Sequence, residues 1–332
     1  MSLLYVTENG ATLGINGGRV VVTYKNGEIE EIPKETVSGV ALFGQSQVTT
    51  QLTKYFLEKG IRVSYFSSTG KYYGMLTPAE SHDVTRLKKQ MILTQQEDFC
   101  LEMAKKIIRA KINNQLTVIR RYSRNNLDEA SPLLTPLKIE KNKIEKSTSI
   151  EELMGHEGKA SRIYFQIINS FLEEDFKFDK RSRRPAKDPV NCMLNFGYAL
   201  LTKEIIGELE NRGLCAYTGF LHQDKPGHAS LASDLIEEWR QVIVDSVVLS
   251  LIQGHEISCD CFKYENGGCI LTQEGMKMFI YKMEKKMFTE SKYLSYIDKA
   301  VSFRKAIWHQ CESIATAIDT GNSKMYNPVI IR

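Results

Sequence analysis

Long apolar runs are missing from this 332-residue sequence. None approaches the roughly 18–20 residues of a membrane span, and the most apolar stretch, 242–252, is interrupted by Asp245 and Ser246. No membrane association is expected. Residues 1–4 carry no secretory pattern, and the seven cysteines are odd in number and scattered apart from Cys259, Cys261 and Cys269. Both features lead to an expectation of reduced thiols and a cytoplasmic protein. Charge asymmetry is also small. The 44 Lys and Arg stand against 40 Asp and Glu, a net +4, so any nucleic-acid argument must rest on local clustering. There is no GxSxG, no GxxxxGK followed by Ser or Thr, and no strand-linked GxGxxG, which removes the familiar serine-hydrolase and phosphate-loop readings. His255, Cys259, Cys261 and Cys269 match a zinc set in composition, but Cys-x-Cys is not the usual paired spacing.

What is present is enough chain, at 42% hydrophobic residues, for two domains with sizeable cores. Residues 3–7, 12–15, 19–24, 28–33, 37–43, 61–67 and 72–75 are short runs rich in strand-forming residues, punctuated by Asn9-Gly10, Asn16-Gly17-Gly18 and Asn26-Gly27. Asn-Gly pairs supply the positive φ angles of hairpin turns, so these runs predict strands, with one helix over 48–59. From Ser81 the period changes to about 3.6. A long helical pattern spans 83–122, its apolar positions interleaved with cations from Lys88 to Arg124 that usually read as a solvated face, although basic residues clearly outnumber acidic ones here. Pro132 and Pro136 are expected to break the pattern and 138–146 to be an exposed connection. Helices follow over 149–172, 190–210, 230–252, 273–286 and 291–318, with a hairpin within 258–271 and a loosely held tail over 321–332. The predicted class is α+β: a β-rich domain at 1–78 and an α-helical domain at 79–332.

Three stretches carry chemistry. Residues 219–240 place His222 in a Gly/Pro-bounded loop and then open a helix. Its apolar face is Leu235, Ile236, Trp239, Val242 and Ile243; Asp234, Glu237, Glu238, Gln241 and Asp245 form the polar face. Asp234 and Glu237 are one turn apart. Two carboxylates beside a histidine suit a divalent metal; a solvated acidic face with a loop histidine is the competing reading. Glu157 lies between Gly155 and Gly158. That pattern fits either close approach of a neighbour or ligand, or a kinked, exposed turn. The third stretch, 177–189, sets Lys177, Lys180, Arg181, Arg183, Arg184 and Lys187 against Asp179 and Asp188, so it is either a phosphate contact or a solubilising loop.

Together these stretches resemble the CRISPR-associated adaptation integrases, the universal Cas-one endonuclease family. The resemblance rests on Gly155-His156-Glu157-Gly158-Lys159-Ala160-Ser161-Arg162-Ile163-Tyr164-Phe165, on Arg183-Arg184-Pro185 with Asp188-Pro189-Val190-Asn191 and Asn195-Phe196-Gly197-Tyr198, on Gly219-Phe220-Leu221-His222, and on Ser230-Leu231-Ala232-Ser233-Asp234-Leu235-Ile236-Glu237. It extends over essentially the whole chain and is nearest to type I forms. The resemblance implies a β-sandwich-like N-terminal domain that forms a homodimer and an all-α catalytic domain. It further implies that Glu157, His222 and Glu237 hold Mg²⁺ or Mn²⁺, with Asp234 assisting. Many members carry aspartate where Glu237 stands, a difference of one methylene that coordination should tolerate. Glu238 and Asp245 then revert to a solvated face. Arg162, Arg181, Arg183 and Arg184 are expected to hold double-stranded DNA, and a small ferredoxin-like CRISPR-associated partner to complete a hetero-oligomer. The expected reaction joins 3′-hydroxyl ends of captured DNA to a repeat. A general nuclease of branched DNA or RNA, and a non-catalytic DNA-binding scaffold, are the rival readings.

Overall fold

The computed structural model describes residues 2–78, 84–123, 127–292 and 294–331. Two compact units comprise Met1–Ser81 with Cys261–Lys263 and Ile270–Lys277, and His82–Asp260 with Tyr264–Cys269 and Met278–Arg332.

In the first unit, alternation of apolar and polar residues between glycine turns produces strands β1 (Ser2–Val6), β2 (Thr12–Asn16), β3 (Arg19–Thr23), β4 (Ile29–Pro33), β5 (Val37–Phe43), β6 (Gln47–Val48), β7 (Arg62–Phe66) and β8 (Tyr72–Leu76). Helix α1 (Thr50–Glu58) interrupts them, its start capped by Thr49, which accepts from the Leu52 N–H. The strands form two four-stranded sheets, ordered β1-β5-β7-β8 and β4-β3-β2-β6. Gly17, Gly18 and Gly27 take positive φ in the two turns that join β2, β3 and β4. Leu13, Val20 and Val22 of one sheet share a core with Val40, Leu42 and Val63 of the other and with Leu52 and Phe56 of α1. Each such side chain contributes about 1.5–3 kcal/mol by burial. The sandwich-like expectation is met.

The second unit is largely helical. It contains α2 (Val84–Leu93), α3 (Glu97–Tyr122), α4 (Leu127–Ile144), α5 (Ile150–Ser170), α6 (Pro189–Glu210), α7 (Ser230–Ile236), a π-helical turn (Gln241–Asp245), α8 (Ser246–Gln253) and α10 (Phe303–Thr320). A hairpin, β9 (Phe262–Glu265) with β10 (Gly268–Leu271), precedes α9 (Gln273–Phe288). Helix starts follow local chemistry: Ser149 caps α5, Ser302 caps α10, and Asp188 caps α6 with Pro189 in its first turn. Among the described residues, no helix is long and apolar enough to cross a membrane.

Several expectations are corrected. The single helix over 83–122 is two helices, parted at residues 94–96; Asp83 and Arg124, at the edges of that reading, lie outside the described residues. Pro132 and Pro136 lie inside α4, which takes in most of the supposed connection. An interior proline disfavours a helix by about 3 kcal/mol; packing against α3 and α5 through buried Leu137, Glu140 and Ile144 overrides it. Helix α5 runs unbroken through Gly155 and Gly158. A Cβ at either would meet open space, so neither glycine marks a crowded contact. The helix expected over 291–318 begins only at Phe303, after a pairing of β11 (Glu290–Ser291) with β12 (Val301–Ser302). The tail is not loose. Tyr326, Val329 and Ile331 are buried, and Asn114 bonds Val329 O and the Ile331 N–H.

The largest correction concerns 230–252. Instead of one amphipathic helix, α7 ends at Ile236 and the π turn rephases the chain before α8. Glu238 and Asp245, read as solvated, are buried to 0% and 2% exposure. Glu238 accepts from Tyr326 Oη (2.8 Å), Gln310 Nε2 (2.9 Å) and the Val329 N–H (2.7 Å), and Asp245 accepts from Tyr164 Oη (2.9 Å) and Tyr198 Oη (2.6 Å). Burial pushes the Glu238 carboxyl up to about 8 and that of Asp245 up to about 6.

Candidate functional site

Several segments of the helical unit line one cavity of about 710 Å³, and four of them place its central side chains. Helix α3 contributes Lys111, α5 contributes Glu157 and Ser161, the loop before α7 contributes His222, and the turn after α7 contributes Glu237 and Arg240.

Asp234 builds the His222 loop. Its Oδ2 accepts the N–H groups of Phe220 (2.7 Å) and Leu221 (3.1 Å), while Oδ1 accepts the His222 N–H (3.0 Å) and meets His222 Nδ1 at 2.8 Å. A Cβ on Gly219 would stand 2.5 Å from Asp234 Oδ2, so only glycine admits this wrap. The carboxylate is fully buried and its lone pairs are committed. It therefore orients the imidazole through Nδ1 and leaves Nε2 available to a ligand. Burial lowers the affinity of the ring for a proton, but the bond and charge of Asp234 outweigh it, and the His222 pKa is raised.

Glu157 and Glu237 meet on Lys111. The ammonium bonds Glu157 Oε1 and stands 2.5 Å from Glu237 Oε2, the latter an ion pair without hydrogen-bond alignment. Ser161 Oγ donates to Glu157 Oε1 at 2.7 Å, and Arg240 reaches Glu237 Oε1 at 3.2 Å. Burial alone would raise the Glu237 pKa; Arg240, Lys111 and His222 instead hold it at about 2. Burial would likewise discharge Lys111, but the two glutamates keep its pKa raised. Arg240 stacks over Tyr198 (4.8 Å), whose hydroxyl donates to Asp245, so Asp245, expected to be solvated, braces the site from behind.

The four basic residues separate. Arg162 and Arg183 are exposed and line the cavity. Arg181 lines it too, but its guanidinium is bonded to Asn191 and Asn195 (2.9 Å) and lies 5.4 Å from the Phe165 ring, so it braces the loop. Arg184 is exposed and off the lining. Sequence reasoning missed Lys111 and Arg240. A signal existed for the first: Lys111 falls in phase with buried Ile107 and Ile108, where a solvated lysine has no place.

Among the described residues, no three His, Cys, Asp or Glu side chains are placed so as to enclose an ion together. The donor chemistry nevertheless suits a hard divalent cation. Two carboxylates from separate elements gather on one buried ammonium, and a carboxylate-oriented imidazole shares the cavity.

A family model described as CRISPR associated protein Cas1 matches residues 4–285. The chain is 33% identical over 324 residues to a CRISPR-associated endonuclease Cas1 of Mycobacterium tuberculosis, covering 97% of this chain and 95% of that protein. It is 30% identical over 334 residues to CRISPR-associated endonuclease Cas1 3 of Thermus thermophilus, covering 100% and 98%. Among solved structures, a casposase bound to integration product has a TM-score of 0.86 at 24% identity, over 99% of this chain and 94% of that one. A Cas6-RT-Cas1–Cas2 complex has a TM-score of 0.84 at 24% identity, over all of this chain and 36% of that much longer one. At such identities the structural likenesses speak for the fold alone. With a family model spanning most of its length and relatives matched end to end, the chain belongs to the CRISPR-associated protein Cas1 family.

Proposed function

We propose that this chain is a divalent-metal-dependent DNA integrase and nuclease of CRISPR adaptation, joining the 3′-hydroxyl ends of a short captured DNA to the ends of a repeat by transesterification. The observation that carries this reading is the convergence of Glu157 and Glu237 on one buried cation in a cavity shared with His222. Relatives named endonucleases and a fold neighbour bound to an integration product support it.

Glu157, Glu237 and His222 Nε2 are the groups that would hold Mg²⁺ or Mn²⁺. When bound, the ion supplies polarisation of a non-bridging phosphate oxygen and charge stabilisation at the leaving oxygen. The chain's own residues do the rest. Asp234 keeps the His222 proton at Nδ1, so that Nε2 presents a lone pair. Arg240 neutralises Glu237 from the side away from Lys111. Arg162 and Arg183 draw the phosphate backbone to the cavity, and Arg181 holds the loop that carries Arg183. No protein nucleophile is needed, because a 3′-hydroxyl attacks in line; with water in its place the site cleaves DNA. The β-rich unit is the proposed dimer contact. A small ferredoxin-like partner between two such dimers would set the distance between reaction centres, in keeping with a fold neighbour solved as a Cas1–Cas2 assembly.

The test is strand joining into a supercoiled, repeat-bearing plasmid by the purified chain with that partner, under a Mn²⁺ titration. E157Q and H222A are expected to lose at least a hundredfold of the joining rate, and unchanged joining in either would sink the metal site. Cleavage of branched DNA or RNA without any partner-dependent joining would favour the general-nuclease reading instead.

A further inference from the structure

Lys111 lies on α3 among the fully buried Ile107, Ile108 and Ile112, and its own side chain is 7% exposed. A lysine on an apolar face ordinarily extends its ammonium to water. Here the ammonium is enclosed between Glu157 of α5 and Glu237 after α7. Two ionised carboxylates facing an empty space would repel one another, and removing one partner of a buried ion pair strands the other charge. The lysine therefore sets the spacing of the two glutamates.

A second observation lies beside it. Gln115, one turn further along α3, and Gln241, in the π turn, both line the same cavity. Both are buried, and among the described residues neither Oε1 has a hydrogen-bond donor. Buried carboxamide oxygens without donors are unusual and costly. Two of them in the wall of a cavity that holds a buried ammonium are acceptors in want of a donor.

We propose that Lys111 is a tethered counter-cation: its ammonium holds Glu157 and Glu237 in place until a divalent ion displaces it, and Gln115 and Gln241 receive it once displaced. This rests on the reading of Glu157 and Glu237 as carboxylates that hold such an ion. Ion binding then competes with an internal ion pair, so the lysine lowers metal affinity while keeping the metal-free site assembled. The glutamine oxygens act in the opposite sense by stabilising the displaced form.

Calorimetric titration of the full chain with Mn²⁺ alone tests this on the wild type, K111M, Q115L, K111R and E157Q. The wild type is expected to bind one Mn²⁺ and E157Q at least a hundredfold more weakly. K111M is expected to bind at least tenfold more tightly than the wild type, with a lower melting temperature without Mn²⁺ and a larger rise on adding it. Q115L is expected to bind severalfold more weakly. Equal affinities in the wild type and K111M overturn lysine displacement, while loss of binding in E157Q leaves the metal reading standing. No binding by the wild type overturns both. Should K111M fail to fold, K111R decides: a guanidinium gripping both carboxylates weakens Mn²⁺ binding severalfold, and affinity equal to the wild type overturns the proposal.

Discussion

Asp234 accepts three backbone N–H groups and the His222 ring on two oxygens, and through them fixes where the imidazole points. Asparagine in its place keeps the volume but loses the charge and half of the acceptor capacity. D234N is expected to weaken Mn²⁺ binding by about 10–100-fold, the usual effect of losing a carboxylate behind a ligating histidine, and calorimetric titration of the folded variant checks it. At this scale the sequence was informative about side chains that share a motif and silent about those that do not. His222, Asp234 and Glu237 sit within sixteen residues of one another, and Glu157 lies in a glycine-flanked string that the family resemblance marks. Lys111 comes from a helix whose other cations are mostly solvent-facing, and only packing separates it from them.

Between elements, Glu140 joins α4 to α5. It meets His156 Nδ1 at 2.8 Å and Lys159 at 3.0 Å across the interface, and Lys143 at 3.1 Å on its own helix. Burial would raise its pKa; the bonds from Lys159, His156 and Lys143 lower it from 4.5 to about 2. A carboxylate depressed in the folded state contributes stability that is complete above the unfolded pKa and lost as pH falls through the folded one. The wild type is therefore expected to lose stability between pH 4.5 and 2, and E140Q to show a flatter fall in that window, measured as the urea midpoint against pH. The docked tail makes a parallel case. Tyr326 Oη donates to Glu238 Oε1 in the segment next to Glu237. Y326F is expected to cost about 1–3 kcal/mol in urea unfolding, because a buried acceptor loses its donor. The sequence did not reveal this docking, since buried and loose tails of this length share the same short mix of polar and apolar residues.

For the whole molecule, a net charge of +4 is too small for a general polyanion surface, so the proposed DNA binding has to rest on local clusters of cations, such as those at the cavity. Arg162 and Arg183 are exposed there, whereas Arg181 is spent on Asn191 and Asn195. Each phosphate contact contributes about −0.9 to the slope of log K against log salt on duplex DNA. R162A combined with R183A is therefore expected to reduce that slope by about 2, whereas R181A disturbs the loop and lowers thermal stability. Fluorescence anisotropy on a duplex at several salt concentrations, with a melting curve for each variant, separates the two effects.

By itself the sequence determined the alternation of strand and turn in the first unit, the helical character of the rest, and the local stretches around Glu157, His222 and Glu237. These are properties of periodicity, turn chemistry and motif, which act over a few residues. Tertiary structure alone decided that Glu238 and Asp245 are buried, that α4 persists through two prolines, and that Lys111 stands between Glu157 and Glu237. Each depends on which faces of different elements meet; Lys111 and Glu157, for example, are 46 residues apart in the chain. A helical period locates a face without saying what packs on it, and the π turn changes that face midway along the segment.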